Sequence, residues 1–170
     1  MFKNANSIKS SNFSINKRSL QCFFGIPGVV FYDSSVTDDS IILFARLRAK
    51  FARCPCCGKS SRRVHSNYRR HLKVLPSTGC RVHIVLCVRK FRCYNEKCKQ
   101  SIFAEQHLSL TQKYSRRTSR TDEYLKKLLV EVSSQKGEYI THISSVKQSC
   151  STCLRIVKSI QIPDEKTLLQ

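Results

Sequence analysis

Residues 54–58 read Cys-Pro-Cys-Cys-Gly, and 36 positions beyond Cys57 the chain reads Cys93-Tyr-Asn-Glu-Lys-Cys98. Two close cysteine pairs separated by a strand-length insertion make a four-thiolate set of the kind that closes around one tetrahedral Zn2+. Loops this short turn backbone amides toward the sulfurs and stabilise their negative charge. Gly58 follows the first pair, where a chain leaving a metal-binding turn commonly needs positive φ. Cys54 and Cys57 form a Cys-x-x-Cys and are assigned, with Cys93 and Cys98, as the ligands of one structural zinc, while Cys56 between them stands as the alternative. Nine Lys/Arg between Arg46 and Arg70 favour the thiolate form nearby. His65, alone in a basic segment, reads as a phosphate contact or surface residue rather than a ligand.

On either side of the cysteine pairs, Val29–Tyr32 and Ile41–Arg48 predict a hairpin around the Asp/Ser-rich turn Asp33–Ser40, and Arg81–Cys93 predicts a longer strand. In that strand Val82, Ile84, Leu86 and Val88 recur every second residue on one face. After Leu110 the period changes. Tyr124, Leu125, Leu128, Leu129 and Val132 mark a helix that Thr121 or Ser119 would cap, with Asp122 and Glu123 in its first turn and Gly137 as its stop. A second helix over 138–146 would turn Ile140, Ile143 and Val146 inward, and a third would follow Ser149 as N-cap, carrying Leu154, Val157 and Ile160. The expected fold class is α+β: a small β-rich four-cysteine zinc-binding module followed by a three-helix, helix-turn-helix-like module. The expected organisation is a disordered basic arm at 1–20, the zinc-binding domain at 21–105, the helical domain at 115–160 and a tail at 161–170.

The 170 residues hold 31 Lys+Arg against 11 Asp+Glu, a formal +20, and the balance points to a polyanionic partner, nucleic acid first. Residues 46–99 alone carry 16 Lys/Arg and one acid, Glu96. Ordinary surfaces mix both signs, so this block reads as a footprint rather than a solvated face. No membrane is expected, because the best apolar run, Cys22–Tyr32, is broken by Gly25, Pro27 and Gly28. Ten cysteines without a hydrophobic signal core at residues 1–20 indicate a reducing compartment, hence metal binding over disulfides and a cytoplasmic, nucleoid-associated protein. Cys22, Cys80 and Cys87 read as free thiols, and Cys150-Ser-Thr-Cys153 lacks the βαβ frame of a redox site.

Cys54-Pro-x-Cys57-Gly58, Val64-His65-Ser66-x-Tyr68-x-Arg70, Leu75-Pro76-x-x-Gly79, Val88-Arg89-Lys90-Phe91-x-Cys93-x-Asn95-x-x-Cys98 and Ile102-Phe103-Ala104-Glu105 together resemble the bacterial insertion-sequence transposases of the ISL-three family. Arg116-Arg117-Thr118 and Ser149-x-x-Thr152-x-Leu154-Arg155 resemble that family's next region. The resemblance implies a zinc-binding N-terminal domain, a helix-turn-helix, and then a DDE-type catalytic domain that cuts and joins element ends. Val74 stands where the family usually has an acid, and the glycine-rich stretch between its first two helices is reduced to Gly137.

Lys and Arg that neutralise phosphates release counterions and supply sequence-independent affinity for DNA. In the zinc module Arg62, Arg63, Arg69, Arg70, Arg89, Lys90 and Arg92 are the expected backbone contacts, with Tyr68 packed or stacked among them. A recognition helix after Ser149 would present Ser151, Thr152, Arg155 and Lys158 to the major groove, and Arg155 can pair bidentately with guanine. The acids, among them Glu105, Asp122, Glu123, Glu131, Glu138, Asp164 and Glu165, show no pattern that would converge on two catalytic cations. The expectation is therefore a truncated, non-enzymatic transposase module that binds terminal inverted repeats without cutting them, with an intact transposase or a second copy as further partners. The alternatives are a helix-turn-helix transcriptional regulator, a zinc-ribbon RNA-binding protein and a cysteine-rich redox protein.

Overall fold

The structure, a computed structural model, describes residues 19–21, 24–77, 79–144 and 146–160. The expected arm lies outside the described residues through position 18, as do Cys22, Asp164, Glu165 and the tail 161–170. Residues 19–21 form a helical turn that buries Leu20.

Among the described residues seven strands follow: β1 Val29–Val36, β2 Ser40–Leu47, β3 Ala52–Arg53, β4 Ser60–Ser61, β5 Val64–Lys73, β6 Arg81–Arg92 and β7 Ile102–Ala104. The main sheet runs β1-β2-β6-β5, and β3 pairs with β4 as a separate ribbon. β6 is its axis. β5 lies antiparallel along one edge, while on the other β2 runs parallel to Arg81–Cys87 and β7 antiparallel to Lys90–Arg92. The alternation read in β6 sets the burial: Val82, Ile84, Leu86 and Val88 fill one face together with Leu43, Ala45 and Leu72, and Leu20 and Leu110 complete that core. Each such aliphatic side chain removed from water contributes roughly 1.5–3 kcal/mol before entropy is counted.

Three helices form the second unit: α1 Ser119–Val130, α2 Ser134–Ile143 and α3 Cys150–Lys158. Leu125, Leu129, Val146, Cys153 and Ile156 make its core, with Leu75 packing in from beyond β5. The end of β5 is strapped to this unit. Lys73 N donates to Arg116 O, Thr118 N donates to Lys73 O, and Lys73 Nζ donates to Lys147 O at 2.8 Å. Arg117 then binds Asp122 at 2.6 Å and reaches Gln148 Oε1 at 3.3 Å, tying the entry of α1 to the segment before α3.

Several local expectations are corrected. β1 continues to Val36 through a bulge at Phe31/Asp33, so the turn is confined to residues 37–39. The cap of α1 is Thr118, whose side chain accepts from Thr121 N, whereas Ser119 and Thr121 lie inside the helix. Gly137 stops nothing: it sits buried within α2, which starts earlier than expected. Ile143 is 64% exposed and Leu154 44% exposed, because Thr141 and Cys153 hold the buried positions on α2 and α3. Ser149 is the N-cap residue of α3 as expected.

Candidate metal centre and basic face

The first cysteine pair sits on a knuckle between β3 and β4. Cys54 N donates to Lys59 O and Gly58 N returns a bond to Cys54 O, both at 2.9 Å, and Gly58 closes the turn at φ +73°. A Cβ at Gly58 would meet nothing within 4 Å, so the glycine is there for its backbone conformation and not for space. The second pair sits between β6 and β7, where Cys93 N donates to Ser101 O and Cys98 N to Asn95 O. The antiparallel pairing of β6 with β7 brings this loop against the first.

Four sulfurs converge. Those of Cys54, Cys57, Cys93 and Cys98 all lie within 4.8 Å of one another, with Cys54–Cys98 at 3.8 Å and Cys57–Cys93 at 3.5 Å. A tetrahedron with Zn–S bonds of about 2.3 Å has sulfurs about 3.8 Å apart, so the set has the size zinc requires. Cys56 is exposed and outside the cluster.

The donor chemistry agrees with the geometry. The Lys59 amide directed at its sulfur, helped by the neighbouring thiols and Asn95, brings Cys57 down to about 6. At Cys98 the Gln100 amide also favours the thiolate, but burial and the sulfurs of Cys56, Cys54 and Cys57 outweigh it and push the thiol up to about 12. Cys93 is raised as well: the Asn95 amide opposes the rise, and burial with Cys57 and Cys54 prevails. One thiolate forms readily at Cys57, while Cys93 and Cys98 hold their protons more firmly than an ordinary thiol. A soft dication would displace those protons, and bound zinc would supply a cross-link between the two loops.

Behind the sulfurs, Phe91 and Phe103 are fully buried and stacked, with centroids 6.1 Å apart, and Cys54 packs on them. Arg89 braces this core from the side. Its guanidinium lies 5.2 Å from the Phe91 ring centre and binds Glu105, whose carboxylate is buried. Hydrogen bonds to Glu105 are the main reason the Arg89 guanidinium holds its proton more firmly than usual.

Arg62, Arg63, Arg69, Lys90 and Arg92 are exposed on β5, β6 and the segment leading into β5. Lys90 Nζ lies 5.4 Å from the Tyr68 ring centre, so Tyr68 packs among the cations as the sequence suggests. Arg89 and Arg70 differ from the rest. Arg89 is committed to Glu105, and Arg70 Nη2 donates to Ser115 O at 2.6 Å and to Gln112 O at 3.1 Å. On α3, Ser151, Arg155 and Lys158 face solvent and Thr152 is half-buried. Sequence reasoning missed the part played by Glu105, which it grouped with acids that converge on no catalytic cations; the signal was its place directly after β7 in an otherwise apolar strand end.

Residues 50–98 match the family model described as the zinc-finger of transposase IS204/IS1001/IS1096/IS1165. The matched segment contains β3 through β6 and both cysteine pairs. It supports the N-terminal zinc module of an ISL-three-family transposase, carrying one structural Zn2+ on the four cysteines. No curated protein and no solved structure matches the chain. Among the described residues, no helix is long and apolar enough to cross a membrane.

Proposed function

We propose that this transposase zinc module binds DNA, with the insertion element's terminal inverted repeats as its specific target. The observation that carries the reading is the set of exposed cations Arg62, Arg63, Arg69, Lys90 and Arg92 on β5, β6 and the segment leading into β5, with Arg69 and Lys90 on opposite faces of the sheet and the zinc-binding core at one end of these strands. These side chains suit the phosphate backbone, where they set position and non-specific affinity. The three helices act as a helix-turn-helix whose α3 enters the major groove. That assignment is supported by Cys153 and Ile156 facing inward while Ser151, Arg155 and Lys158 face out. The role is recognition: Glu105 and Asp122 are engaged by Arg89 and Arg117 and so are unavailable to hold catalytic cations.

Binding of the zinc-loaded chain to a duplex carrying the terminal repeats, measured across salt concentration, tests this. Neutralising on the order of 5–8 phosphates gives a log–log slope of roughly −4.5 to −7, with random duplex bound more weakly. A slope near zero, or equal affinity for both duplexes, contradicts the proposal.

A further inference from the structure

While one face of the main sheet is filled by Leu43, Ala45, Val82, Ile84 and Leu86, the opposite face holds an open hollow of about 550 Å³. Ile42 and Phe44 of β2 and Val85 of β6 form its floor. The register places Val85 between Phe44 of β2 on one side and His71 of β5 on the other. Tyr32 extends the aromatic surface, its ring centre 6.3 Å from that of Phe44, and it is 37% exposed.

The rim is cationic. Arg69, His71, His83 and Arg116 stand around the floor, together with Lys73, whose Nζ donates to Lys147 O. No carboxylate lines the hollow. Asp33, the register partner of Phe44 on β1, lies at its far side and accepts from the Ser34 amide. Burial first, then the charges of Lys73, Arg81 and His71, hold the His83 imidazole below its ordinary value.

A cationic rim around an aromatic, aliphatic floor fits a polyanion that also has flat apolar faces. Duplex DNA offers phosphates and base edges, but its base faces are stacked on one another and cannot reach the floor. An unpaired strand offers both features. A second copy of this chain would set like charge against like. We infer that this outer sheet face binds an unpaired DNA strand, with a base lying over Phe44 and Val85 and the flanking phosphates on Arg69 and Arg116. The inference rests on the DNA-binding reading above and adds a surface and a strand state to it.

The test titrates the zinc-loaded full chain into labelled oligothymidine of about a dozen nucleotides, the matching ribo-oligomer and a mixed-sequence duplex, for wild type, Phe44→Leu and Tyr32→Leu. Loss of one stacking contact weakens oligothymidine binding about tenfold in Phe44→Leu and several-fold in Tyr32→Leu, with duplex binding within about twofold of wild type. Should Phe44→Leu fail to melt cooperatively, Tyr32→Leu, altered at an exposed ring, decides alone. The inference is overturned by unchanged oligothymidine binding, by an equal loss on duplex, by tighter binding of the ribo-oligomer, or by a wild-type dimer that the substitutions dissociate. Wild-type protein that binds duplex but no single strand defeats this inference only, whereas protein that binds neither defeats the DNA-binding reading too.

Discussion

Glu105 receives Arg89 through both main chain and side chain: the Arg89 amide donates to Oε1 at 2.8 Å, and its guanidinium reaches both carboxylate oxygens through Nε and Nη2. The same Nη2 also donates to Ala49 O, so one pair fastens β6, the end of β7 and the chain leading to the first cysteine knuckle. Removing the acid leaves a partly buried guanidinium without its counter-charge. Glu105→Ala should therefore lower the stability of the zinc-loaded protein by about 3 kcal/mol, and Glu105→Gln, which keeps an acceptor, by less. Urea denaturation with zinc present checks the order, and an Ala variant as stable as wild type contradicts it.

Gly137 bears on how closely α1 and α2 pack. A Cβ there would lie 2.4 Å from Leu129 Cδ2, in a core where Leu129 is 1% exposed and has little room to move. Alanine normally stabilises a helix interior by about 1 kcal/mol relative to glycine. Here overpacking should reverse the sign, and Gly137→Ala should destabilise by about 1–2 kcal/mol. A raised melting temperature would show that the helices separate easily.

These two residues also show where the sequence is legible and where it is not. The cysteine spacing announces the metal centre, and the period-two run in β6 announces its strand, because both patterns are local. Gly137 reads as a helix stop because glycine so often is one, and only the helix-to-helix approach reveals its use. β5 escapes notice since Leu72 is its single buried residue, so Val64–Lys73 shows little of the alternation that marks a strand. The parallel pairing of β2 with β6 is set by tertiary topology, which no local pattern encodes.

His83 makes stability pH-dependent. Its folded value lies below the ordinary imidazole value of about 6.5, so as pH falls through that value the unfolded chain takes up a proton that the native chain resists. The contribution is fully present above pH about 6.5 and is lost toward the lower folded value. The difference in stability between wild type and His83→Gln should therefore shift against wild type as the pH is lowered from about 7 to about 5.5. A difference that is constant with pH contradicts this.

Arg155 and Arg69 should separate reading from positioning. Arg155→Ala is expected to reduce discrimination between the terminal repeats and random duplex by about 1–3 kcal/mol, whereas Arg69→Ala weakens both duplexes alike. Parallel titrations of the two variants measure this, and identical effects on both duplexes from Arg155→Ala would leave α3 without a reading role.

Zinc content, followed together with folding, decides whether Cys54, Cys57, Cys93 and Cys98 hold a structural metal. The chain purified without added metal and analysed by elemental mass spectrometry should contain one zinc per molecule. Cys93→Ser should lose the metal along with the cooperative unfolding of the β-rich unit, and Cys56→Ser should keep both, because Cys56 lies outside the sulfur cluster. Absence of zinc from the wild type, or full stoichiometry in Cys93→Ser, would contradict the account.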